Sequence, residues 1–143
     1  MSPRQARIVH ISIERHWRDV YDFAAKPENM VLWASGLGSG LEADGENWVA
    51  HGPLGSVRVK FAPENDFGVM DHIVTMESGL EVHNALRVVP NGDGAEVMFT
   101  LLRLPDVSDE QFEADFRWVL KDLNTLKKRL EHSEDNNHGT EGR

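Results

Sequence analysis

Alternation at period two opens the chain. In residues 7–13 (RIVHISI), Val9, Ile11 and Ile13 fall on one face and β-branched residues dominate, which predicts a strand. The period then lengthens. Ile13, Trp17, Val20 and Ala24 follow at i, i+4, i+7 and i+11 with Phe23 beside them, so residues 14–25 read as an amphipathic helix. Pro27 suits the first position of a second, short helix, because its missing N–H would have no partner there in any case. Met30, Trp33 and Ala34 give that helix an apolar face, and Gly36 is expected to stop it. Residues 37–104 then change texture. Strands are expected at 38–43, 46–52, 56–62, 69–77, 80–89 and 95–104. Between them lie Asp44-Gly45, Gly52-Pro53-Leu54-Gly55, Ser78-Gly79 and Asn91-Gly92-Asp93-Gly94, residues that suit tight hairpin turns. Parallel strands need long crossovers, so links this short imply an antiparallel meander.

The final element is a helix with legible ends. Ser108 and Gln111 have the spacing of a capping box, and Val107 and Phe112 that of a hydrophobic staple. Asp109 and Glu110 suit the positive end of the helix dipole, and Lys127, Lys128 and Arg129 the negative end. Phe112, Phe116, Val119, Leu123, Leu126 and Leu130 step by alternating fours and threes. Such a stripe must be buried, and an antiparallel sheet of about seven strands is the available partner. Trp118 lies off the stripe, where it covers a sheet edge or makes a protein contact. Beyond Leu130 the apolar residues end. The chain therefore divides into one domain over 1–131 and a disordered polar tail over 132–143.

Composition narrows the function classes. The 143 residues are 40% hydrophobic and 27% charged, as in soluble globular domains. The net charge of −9 argues against nucleic-acid or anionic-membrane partners, whose sites are normally basic. No apolar run approaches the roughly 20 residues of a membrane span. The N-terminus has no apolar stretch of the signal-peptide kind. The absence of cysteine removes disulfides, thiolate metal sites and a thiol nucleophile, and is compatible with the expected cytoplasmic location.

The order of elements, and three segments in particular, resembles the START/Bet v1-like (SRPBCC) superfamily. Residues 20–33 (VYDFAAKPENMVLW) are similar to its opening helices, residues 86–100 (LRVVPNGDGAEVMFT) to its late hairpin, and residues 108–112 with 123–128 (SDEQF, LNTLKK) to its terminal helix. The chain resembles bacterial members called polyketide cyclase/dehydrase-like over about residues 7–131. The resemblance implies an α+β helix-grip fold: a seven-stranded curved antiparallel sheet around a long C-terminal helix, with two short helices after strand one. It also implies a cavity between sheet and helix, the default place for a ligand.

Strand parity suggests which side chains face that cavity. If His51 opposes Ser56, then Ala50 meets Val57 and Trp48 meets Val59, leaving Arg58 and Lys60 outside with Asp71 near them. Met70, His72, Val74 and Met76 then point inward. A symmetric pairing about the Asn91–Gly94 turn sets Leu86 against Met98 and Asn84 against Thr100, and leaves Val97, Phe99 and Leu101 as an outer strip that would serve a homodimer. The expected ligand site is an apolar wall of Trp33, Trp48, Met70, Leu86, Met98 and Phe116, punctuated by His72, Asn84 and Thr100. No metal-ligand spacing or phosphate-binding glycine motif is present, so neither a metal nor another cofactor is expected. Two readings follow. In one, the domain binds a small hydrophobic or aromatic molecule. In the other, it is a polyketide cyclase or dehydratase in which His72 is the general acid or base and Asn84 or Thr100 steadies an enolate oxygen.

Overall fold

Periodicity is realised directly at the start of the chain. Strand β1 (Ala6–Ile13) leads into helix α1 (Trp17–Ala24) and the single turn α2 (Pro27–Met30), which begins on its proline. The described residues of this computed structural model are 2–35, 41–52 and 55–141, with 133–141 described as backbone alone. The expected stop at Gly36, the strand start at Gly38 and the Pro53-Leu54 turn lie outside them. Next come β2 (Leu41–Asp44), β3 (Asn47–Gly52), β4 (Gly55–Phe61), β5 (His72–Thr75), β6 (Glu81–Asn91) and β7 (Gly94–Leu102), followed by α3 (Asp109–Glu141).

The strands form one curved antiparallel sheet of seven in the order β1-β7-β6-β5-β4-β3-β2. The first and last parts of the strand sequence thus lie side by side, and the rest is a meander. Trp48 pairs with Val59, Ala50 with Val57 and His51 with Ser56, as the Gly52–Gly55 turn implies. The β6–β7 hairpin does not follow the symmetric expectation. Asn91 pairs with Gly94 across a two-residue turn, so Leu86 opposes Phe99 and Arg87 opposes Met98. Gly92, at φ 59, takes the first turn position, where a type II′ turn requires glycine. The expected pairing needs an odd-numbered loop centred on Gly92. Removing one residue from that loop inverts every side chain of β7.

Val97, Phe99 and Leu101 therefore point inward and pack in the core with Val9, Ile13, Leu123 and Leu126. They are not an outer strip and cannot serve as a dimer contact. Met98 and Thr100 occupy the opposite face, paired with His10 and Ile8 of β1. On that face Glu96 accepts hydrogen bonds from Ser12 Oγ and Asn91 Nδ2 and lies 2.7 Å from His10 Nδ1.

The expected strand over 69–77 is ordered as β5 only from His72 to Thr75. Asp71 is the cause. Its carboxylate, rather than a backbone carbonyl, accepts the Leu86 N–H at 2.9 Å and also two bonds from Arg87. Asp71 thus pairs with Arg87, not with Arg58 or Lys60. The chain before it stays close to β6 through Gly68 O and Met70 N. A Cβ on Gly68, at φ 73, would lie 2.1 Å from Val88 O, so only glycine fits.

Helix α3 packs its stripe across β1 and β7. Ser108 Oγ accepts from Gln111 N, but the Gln111 side chain bonds Asp115, so one half of the expected capping box forms. The helical backbone continues to Glu141, through most of the polar stretch expected to fray, while the apolar stripe ends at Leu130. Polar contacts fix the helix near both ends of its apolar stripe. Arg7 meets Glu113 and lies 3.6 Å over the Phe116 ring. Lys127 reaches Ser12 O, and Arg15 reaches Leu130 O.

Candidate functional site

A cavity of about 200 Å3 lies between the concave face of the sheet and α3. Its floor is Val57 and Val59 of β4, His72 and Val74 of β5, Asn84 and Leu86 of β6 and Phe99 of β7. Each of these sits on the inward parity of its strand. Met30, Trp33 and Ala34 close one side, and Trp118, Val119, Asp122 and Leu123 of α3 form the roof. Burial of so many apolar groups around unfilled space is the usual composition of a small-molecule site.

The polar groups are few. His72 Nδ1 lies 3.2 Å from Met70 O, and its Nε2 lies 3.4 Å from the Asn84 amide nitrogen. The carbonyl can only accept, which places the ring proton on Nδ1 and leaves Nε2 as the acceptor for Asn84. Burial holds the His72 pKa below the ordinary histidine value, against smaller opposing effects of the Met70 carbonyl and the Asp71 charge. The imidazole is therefore neutral, with both nitrogens engaged. Asp122 accepts a 2.7 Å hydrogen bond from Ser35 Oγ. Burial raises its pKa above the usual carboxylate range, and the Ser35 bonds only partly offset this. Trp33 is 6% exposed, and its Nε1 is shut off from solvent with no hydrogen-bond partner.

The residues expected at the site separate into groups. Trp33, His72, Asn84 and Leu86 line the cavity together. Met70 lines a neighbouring cavity of about 240 Å3, with Tyr21, Lys26 and Phe61, and Met30 borders both. Trp48 packs on the Ala50, Val57 and Val59 cluster instead. Phe116 lies under Arg7 near the start of α3. Met98 and Thr100 are excluded by the β7 register, so Thr100 cannot steady a group in the cavity or satisfy Asn84. Phe99, Val119, Trp118 and Asp122 are lining residues that the sequence reading does not include. Their signal was present: Trp118 and Asp122, like Val119 and Leu123, are four apart, so the α3 stripe has a second, adjoining row.

These features are those of the Bet v1-like helix-grip fold. No protein-family model matches the chain, and no curated protein matches its sequence. Solved structures match its fold. DynU16, from the dynemicin biosynthetic locus, has a TM-score of 0.70 at 13% identity, over 90% of this chain and 48% of that one. This chain thus spans about half the length of DynU16. CalU16 from Micromonospora echinospora has a TM-score of 0.65 at 12% identity, over 89% and 74% of the two chains. The Aha1 dimer from Colwellia psychrerythraea has a TM-score of 0.67 at 12% identity, over 87% and 94%. Identities this low define a shared fold and no more. Among the described residues no helix is long and apolar enough to cross a membrane.

Proposed function

We propose that the domain binds a small hydrophobic or aromatic molecule in the cavity between sheet and C-terminal helix. One observation carries this reading: a largely apolar space walled by four strands and two helices, with His72, Asn84 and Asp122 among its lining residues. DynU16, a protein of the dynemicin biosynthetic locus, has the same fold; this supports a ligand-handling role without naming the ligand. The absence of cysteine is compatible with a cytoplasmic setting. The enzymatic alternative asks His72 to move a proton. Its Nδ1 proton is directed at Met70 O and its Nε2 faces Asn84, so neither nitrogen is presented to a substrate. His72 on this reading is a structural group of the cavity wall.

Native mass spectra of the protein purified from its own host test the proposal. The expected result is a reproducible adduct of small mass that is lost on denaturation. A bare mass, together with turnover of a polyketide-like substrate that His72→Gln abolishes, would replace binding by catalysis.

A further inference from the structure

The roof of the cavity reaches the surface at Trp118, which is 50% exposed and also walls a surface cleft of about 410 Å3. One row of α3 builds that cleft. Ala114, Arg117, Trp118 and Lys121 stand at i, i+3, i+4 and i+7, and Ser35 completes the lining. The two spaces adjoin: Trp118 belongs to both, and Ser35 of the cleft donates a 2.7 Å hydrogen bond to Asp122 of the cavity. Their charges are opposite. Among the described residues the cavity is lined by no lysine or arginine and by one carboxylate, Asp122. The cleft is lined by two cations and no carboxylate. Lys121 makes no ion pair among the described residues, and the Arg117–Glu113 contact, 3.6 Å between exposed groups, is weak. Asp122, by contrast, is already compensated in part by the Ser35 donors and the Lys121 charge. The net charge of −9 repels anions in general, so an attraction for them in this cleft is local. The cavity alone, at about 200 Å3, falls below the ~300–1,000 Å3 common for drug-sized ligands, so a ligand of ordinary size extends beyond it.

We infer that the ligand is amphiphilic: an apolar ring body fills the cavity, and an anionic group, carboxylate or phosphate, lies in the cleft at Arg117 and Lys121. Trp118 covers the passage between the two parts. Asp122 fixes the orientation, because an anion turned inward would meet a carboxylate with no cation in the cavity lining to balance it. This rests on the cavity being a binding site at all, and it adds the chemical class of the occupant, its orientation and the two residues that select it.

Probes with one ring and one chain separate these claims: 4-(indan-5-yl)butanoate, the corresponding amide, the protonated amine and the phosphate monoester, with indane as the ring alone. Calorimetric titration of the full chain at low salt is expected to show both anions binding about fivefold more tightly than the amide, as two partly exposed charge contacts supply. Whichever anion binds more tightly names the head group. The advantage is expected to shrink toward unity at about 0.5 M salt, where charges at this separation are screened. Arg117 and Lys121 are both exposed, so Arg117→Gln combined with Lys121→Gln is expected to keep the melting temperature and to bring the preference for the anions over the amide to about unity. Equal binding of the anions and the amide by the wild type overturns the amphiphile inference and leaves the binding cavity standing. An anion preference that survives in the double variant overturns the assignment to the cleft. Tightest binding of the ammonium probe overturns the inference in favour of a cation held by Asp122. Failure of indane and of all its derivatives to bind overturns the cavity reading itself.

Discussion

A buried donor without an acceptor costs roughly 1–3 kcal/mol, and Trp33 Nε1 is held in that state inside the core. His72, across the cavity, is satisfied on both nitrogens and neutral. Its folded pKa is depressed by burial below the ordinary histidine value of 6.5, so the unfolded chain takes up the proton first. The contribution of neutral His72 is fully present above about pH 6.5 and is lost as pH falls through the folded pKa. Asp122 runs the other way. Its raised pKa gives a contribution complete below 3.8 that is lost as pH rises through the folded value. His72→Gln is expected to flatten the fall in stability below about pH 6.5 and to leave ligand affinity within about threefold of wild type. Urea midpoints across that range and a binding titration measure the two effects; an unchanged pH profile would show that His72 is not the titrating group. Asn65 is a second residue whose polar atoms are all used. It donates to Pro63 O and Val69 O and accepts from the Phe67 and Val69 N–H groups. Asn65→Ala should cost about 2–3 kcal/mol in urea unfolding, and a loss below about 0.5 kcal/mol would mean that water replaces these bonds.

At the scale of elements, the register of β7 decides what the site contains. Val97 is fully buried whereas Met98 lies on the other face of the sheet. Val97→Glu is therefore expected to unfold the domain or cost at least about 3 kcal/mol, and Met98→Glu less than about 1 kcal/mol, in paired thermal melts. The reverse order would restore the outward strip. The two hairpins show why one register was legible and the other was not. Beyond the Gly52–Gly55 turn β4 alternates cleanly, Val57, Val59 and Phe61 against Arg58 and Lys60, and the two bases mark the outside. In residues 97–101 both faces are largely apolar, so parity had to come from the turn, and a loop shorter by one residue moved Met98 and Thr100 out of the site. The alternation of Val97, Phe99 and Leu101 against Met98 and Thr100 did carry the answer in its more hydrophobic half. The β5 boundary was illegible for a different reason: Asp71 replaces a ladder carbonyl with its own carboxylate, a tertiary arrangement that no local pattern encodes. Helix α3 was legible throughout its apolar length because a seven-residue pattern of leucines and aromatics has one geometric meaning.

For the molecule as a whole, one buried side chain is common to two neighbouring spaces. Met30 is buried, and it borders both the cavity under α3 and the neighbouring one beneath α1 and α2. An unbranched thioether adapts its shape readily, so on the proposed binding reading Met30 is the side chain to test for a limit on occupant size. Met30→Ala should cost about 2–4 kcal/mol and join the two spaces. Affinity for fluorene, a larger ring system than indane, should then rise; a destabilised variant with unchanged fluorene affinity would mean that the walls collapse into the gap. The central claim is that the space between the sheet and α3 is a binding cavity. It is tested most directly by following the methyl signals of the full chain during titration with 1-indanone. The account predicts saturable shifts at Val57, Val59, Val74, Leu86 and Leu123, with Val9 and Ile13 unmoved. No saturable shift, or shifts confined to Met70 and its neighbours beneath α1, would contradict it.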